Sequence, residues 1–83
     1  MNDKKIKVER VQTGVRIEKR MLKVLKAMAE YHDISLSNLL EGIVLHAIEG
    51  KSPFEAESIK RIEALKQIYG MDYDASASHN IVE

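Results

Sequence analysis

The chain has no cysteine. That absence excludes disulfides, zinc–thiolate centres and thiol catalysis, and it fits a reducing cytoplasm. No apolar run is long enough to cross a bilayer, and the opening M-N-D-K-K-I-K lacks the apolar centre of a signal peptide. The expected location is therefore cytoplasmic, with no membrane partner. There is no G-x-S-x-G, no phosphate-binding Gly-rich loop and no H-E-x-x-H, so no catalytic residue is named and no enzyme is expected. His32, His46 and His79 are 14 and 33 residues apart with no thiolate beside them, which is no ligand spacing. Neither a metal nor another cofactor is expected. Glu55, Glu57 and Glu63 read as a solvated helix face.

Net charge is also missing, with 13 basic and 13 acidic residues. Taken alone, that argues against a nucleic-acid binder. The distribution argues the other way. Residues 1–26 hold nine basic groups against three acidic ones, a net of +6, and residues 27–83 hold four against ten, a net of −6. Such asymmetry suggests one face for a polyanion and another kept away from it; the bland alternative is a solvated basic arm beside ordinary surface.

What is present is one small domain of 83 residues, a length at which many chains gain stability by oligomerising. Residues 1–10 read as a flexible basic arm. Val11–Ile17, V-Q-T-G-V-R-I, is the one segment with strand alternation: Val11, Thr13, Val15 and Ile17 fall on one side, Gln12, Gly14 and Arg16 on the other. A lone strand needs a pairing partner, and the simplest is a second copy of the chain. The resulting two-stranded ribbon would bury its apolar side and present Gln12, Gly14 and Arg16 twice over. Gln and Arg suit adenine and guanine edges in the major groove, which admits such a ribbon.

The rest reads as helix. Met21, Leu22, Leu25, Met28 and Ala29 mark one face of a first helix over Glu18–Tyr31, and Tyr31-His32-Asp33-Ile34 breaks it. Ser35 is a natural N-cap for a second helix, with Leu36, Leu39, Leu40, Ile43, Val44, Ala47 and Ile48 as a broad apolar set. Gly42, mid-helix, either permits close helix contact or is a neutral exposed glycine. Gly50 suits the helix end. Ser52-Pro53-Phe54-Glu55 predicts a capping box opening a third amphipathic helix over 51–70, with Phe54, Ile59, Ile62, Leu65, Ile68 and Tyr69 as its stripe. Residues 71–83 lack periodicity and read as a mobile tail.

The order strand, helix, short turn, helix over residues 11–50, carried by V-Q-T-G-V-R-I, M-L-K-V-L-K-A-M-A-E and I-S-L-S-N-L-L-E-G-I-V-L-H-A-I, resembles the ribbon-helix-helix family of DNA-binding proteins (Arc, MetJ and CopG relatives). The resemblance implies a mostly α fold: an intertwined homodimer with an intersubunit two-stranded antiparallel ribbon, here with an extra C-terminal helix. It implies base contacts from Gln12, Gly14 and Arg16, although Gly14 has no side chain and leaves the central reading position blank, with Arg10 as a further candidate. It implies phosphate contacts at the start of the second helix, from Ser35, Leu36, Ser37 and Asn38, where free N–H groups and the helix dipole attract anions. Lys4, Lys5, Lys7, Lys19 and Arg20 add sequence-blind phosphate attraction. Val11, Thr13, Val15 and Ile17 would form the dimer core with Leu39, Leu40, Ile43 and Val44.

The function so implied is a sequence-specific transcriptional regulator, a repressor, binding double-stranded DNA. The alternative is the antitoxin of a toxin–antitoxin pair, whose C-terminal half binds a partner protein and whose N-terminal half autoregulates. A third reading is a structural helical dimer with no DNA role. The third helix separates the first two: packed on the chain's own body it is structural, and left free it is a partner helix.

Overall fold

The computed structural model describes residues 5–83. Among them regular structure is helical: α1 spans Lys19–His32, α2 Leu36–Ile48 and α3 Ala56–Tyr69, followed by a 3-10 turn at Ala75–Ala77. α1 starts where Glu18 caps it. The carboxylate accepts from the backbone N–H groups of Arg20 (3.0 Å) and Met21 (3.1 Å), two of the donors a helix start leaves open. α1 ends at Asp33, whose φ of 57° is left-handed, a region that Asp tolerates better than most residues. The N–H groups of Asp33 and Ile34 then close on the carbonyls of Glu30 and Ala29.

α2 starts on Ser35, whose hydroxyl accepts from the Asn38 N–H at 3.0 Å, as the sequence predicts. α3 starts later than predicted. Glu55 stands at its N-cap without a side-chain hydrogen bond, and the Ser52 hydroxyl donates to the Phe54 carbonyl instead (3.2 Å). Residues 52–54 lie outside the helix, and from there Phe54 packs against the core. Gly70 ends α3 at φ 69°, a left-handed position that glycine takes without strain, and the Met71 N–H returns to the Lys66 carbonyl at 2.8 Å.

α1 packs against both α2 and α3 and joins them. Met28 and Ala29 of α1 and Leu39 of α2 form the buried centre, with Leu25, Ile43, Phe54, Ile62 and Leu65 packed around it. Val24, absent from the stripe the sequence predicts, is also buried. The core is small, as expected of so short a chain.

The structure corrects the expected fold. Residues 5–18 are neither strand nor helix. None of the backbone groups of residues 5–17 joins a backbone–backbone hydrogen bond among the described residues. The alternation of Val11, Thr13, Val15 and Ile17 meets only the side-chain half of a strand's requirements. The backbone half needs an adjacent strand, and no described segment of the chain supplies one. Among the described residues the fold is a small all-helical domain of three helices, and a ribbon-helix-helix unit intertwined through an intersubunit β-ribbon is not seen. No described helix is long and apolar enough to cross a membrane.

Candidate nucleic-acid interface

The segment that leads into α1 lies along the outer face of α2. Arg10 fixes it there: its Nε and Nη2 donate to the two carboxylate oxygens of Glu41, both at 2.8 Å. This two-point pair holds the Glu41 carboxyl below its ordinary range and raises the Arg10 guanidinium, the hydrogen bond being the main cause in each case. Between segment and helix runs a cleft of about 1030 Å³, lined on one side by Ile6, Val8, Val11 and Val15 and on the other by Leu40, Val44, Leu45 and Ile48. Gln12 and Thr13 line it too, and so does Ser37 from the first turn of α2. The N–H groups of Leu36 and Ser37 find no acceptor among the described residues, while that of Asn38 is taken by Ser35.

Arg16 lies in a second cleft, of about 810 Å³, shared with Ile17, Glu18, Lys19, Arg20 and Met21 from the start of α1 and with Tyr73, Ala77, Ile81, Val82 and Glu83 from the far end of the chain. Its guanidinium pairs with the Glu83 carboxylate. Glu18 is the hub of this region. Besides capping α1, it accepts from the Tyr73 hydroxyl at 2.5 Å and from Arg20 Nε at 3.1 Å. These contacts push its carboxyl down to about 2, the Tyr73 hydrogen bond contributing most and the Arg20 backbone N–H next. The Tyr73 phenol is raised, first by burial and then by its bond to Glu18. Arg20 Nη1 also donates to the Gly70 carbonyl (2.9 Å) and to Asp72 (3.2 Å).

The base-reading candidates are thus divided between two places. Gln12 lines the cleft between the segment and α2, and Arg16 lies with the start of α1. Gly14 between them is exposed, and a Cβ added there would meet nothing within 4 Å. Lys5, Lys7 and Lys19 are exposed and form no ion pair among the described residues. Lys4 lies outside the described residues. Arg20 is engaged inside the chain and ties α1 to the end of α3. Of the residues expected at a subunit contact, Leu39 and Ile43 belong to the chain's own core, Ile17 and Leu40 are half-buried, and Val11, Thr13, Val15 and Val44 are exposed.

Sequence reasoning passed over Glu18, Glu41, Tyr73 and Glu83. Glu is a poor N-cap by preference, and Tyr73 and Glu83 meet their partners 55 and 67 residues away in sequence, so no local pattern signals them. Among the described residues no three or more of His, Asp and Glu are grouped to hold a metal ion. Compared with protein-family models, curated proteins and solved structures, the chain matches none.

Proposed function

We propose that this chain is a cytoplasmic, sequence-specific DNA-binding regulator that represses transcription by occupying a promoter, and that it catalyses no reaction. The observation that carries the reading is the basic stretch up to Lys26, set against an acidic remainder, in which Gln12, Arg16, Lys19, Lys23 and Lys26 are all exposed. Phosphate attraction from the lysines would supply sequence-blind affinity that salt weakens. Gln12 and Arg16 would supply base discrimination, each about 1–3 kcal/mol where the contact is bidentate. The free N–H groups of Leu36 and Ser37 at the start of α2 suit a phosphate. This reading keeps the DNA-binding role implied by the ribbon-helix-helix resemblance and drops the paired ribbon. Two copies would meet through the exposed apolar face of α2.

The antitoxin reading draws less support. Ile62 and Leu65 of α3 pack on the core together with Phe54 ahead of the helix, so part of the expected stripe is used within the chain, while Ile59 and Ile68 stay exposed.

Selection from a random-sequence duplex pool, titrated with salt, tests the proposal. The wild type should enrich a preferred site. Arg16→Ala and Gln12→Ala should each weaken that site by roughly five- to a hundredfold and leave the thermal midpoint unchanged. Uniform weak affinity for every sequence at moderate salt overturns it.

A further inference from the structure

Beyond α3 the chain doubles back onto the start of α1. The Gly70 carbonyl and Asp72 hold Arg20, the Tyr73 hydroxyl bonds to Glu18, and the Arg20 guanidinium lies 5.5 Å from the centre of the Tyr73 ring. Asp74 caps the 3-10 turn by accepting from the Ser76 N–H at 2.9 Å. His79, at φ 67°, follows the turn. Ile81, Val82 and Glu83 then enter the cleft that holds Arg16, where Glu83 pairs with its guanidinium. A segment from the acidic part of the chain is thereby laid, through several anchored points, onto a side chain to which base reading falls.

We propose that residues 72–83 form an intramolecular strap that competes with DNA for Arg16 and so limits the chain's affinity for duplexes; the inference rests on the DNA-binding reading above. A carboxylate and a phosphate are the same class of partner for a guanidinium, planar or forked anions that accept its N–H donors. Tethering keeps the carboxylate at high local concentration. The competitor is displaceable, because the side chains of Arg16 and Glu83 remain 84% and 77% exposed, and an exposed ion pair shifts an equilibrium by about one- to fivefold. The strap thus tunes affinity without abolishing binding. The Tyr73–Glu18 and Arg20–Gly70 contacts hold its base in place when its tip lets go.

The test is fluorescence anisotropy with a labelled duplex carrying the site enriched in the selection above, using wild type, Glu83→Gln, Glu63→Gln, Arg16→Ala and the Arg16→Ala/Glu83→Gln double variant. Glu63, exposed on α3 without an ion pair among the described residues, controls for the loss of one negative charge. Glu83→Gln should tighten binding about two- to fivefold, Glu63→Gln by clearly less, and the double variant should bind like Arg16→Ala. If Arg16→Ala weakens binding but Glu83→Gln matches the wild type or Glu63→Gln, the strap is wrong and the DNA reading stands. The strap is equally wrong if Glu83→Gln tightens binding in the Arg16→Ala background. If Arg16→Ala binds as well as the wild type, the DNA reading at Arg16 fails and takes the strap with it.

Discussion

Glu18 does three things with one carboxylate: it caps α1, orients Arg20 and accepts from Tyr73. Each contact favours the charged form, and the carboxyl falls from its ordinary value near 4.5 to about 2. A carboxyl depressed on folding stabilises the fold above its unfolded value and loses that contribution as pH falls through its folded value. Stability from Glu18 is therefore complete above about pH 4.5 and lost toward pH 2. The phenol of Tyr73 is raised, so its contribution is complete below its ordinary value and is lost as pH rises beyond that. Thermal melts from pH 5 down to pH 2 should show the midpoint of the wild type falling more steeply than those of Tyr73→Phe and Glu18→Gln. Parallel curves for all three proteins would mean that the contact contributes nothing to the fold. The partner of Glu18 could not be read from the sequence, since a tyrosine 55 residues away leaves no trace in helix periodicity or capping preference.

At the scale of elements, the helices were legible, whereas the strand expected at Val11–Ile17 is not formed. Ser35 and Gly70 mark real ends because their signals are local: a hydroxyl reaches its own helix's N–H groups, and glycine takes the left-handed turn without a partner. The start of α3 moved because Phe54 is drawn into the core, a long-range demand that overrides the local box at Ser52–Glu55. Val11–Ile17 has the alternation of a strand, but alternation does not provide a neighbour to pair with. The candidate interface divides in the same way: residue types and charge segregation were visible, whereas the bonds of Arg10 to Glu41 and Arg16 to Glu83 were not. Two substitutions in α2 probe the local terms. Ser35→Ala should destabilise by about 0.5–2 kcal/mol through loss of the cap. Gly42→Ala should stabilise by up to about 1 kcal/mol, because a Cβ at Gly42 meets nothing within 4 Å and the residue does not line the apolar cleft. Chemical denaturation measures both; a destabilising Gly42→Ala would place another surface against that side of the helix.

The whole molecule exposes more than a folded monomer of its mass should. Its surface is 7497 Å², against roughly 5,000 Å² expected of a compact 9.4 kDa chain, an excess of about 2,500 Å². Much of the apolar part is in one place: Val11 (80%), Val15 (73%), Leu45 (65%) and Ile48 (73%) are exposed around the cleft on α2. Contiguous apolar surface of this kind marks an interface, and a standard interface takes about 800 Å² from each partner, well within the excess. A second copy is the occupant that a DNA-binding reading requires, since it doubles the base contacts. The wild type should sediment as a dimer at micromolar concentration, with a thermal midpoint that rises with protein concentration. Ile48→Glu should shift it to monomer. That change costs the single chain little, because Ile48 is already exposed, so the helical circular dichroism should survive while affinity for the selected duplex falls. A wild type that sediments as a monomer with a concentration-independent midpoint would remove the doubling of base contacts, and a lone Gln12 and Arg16 could then discriminate only a few base pairs.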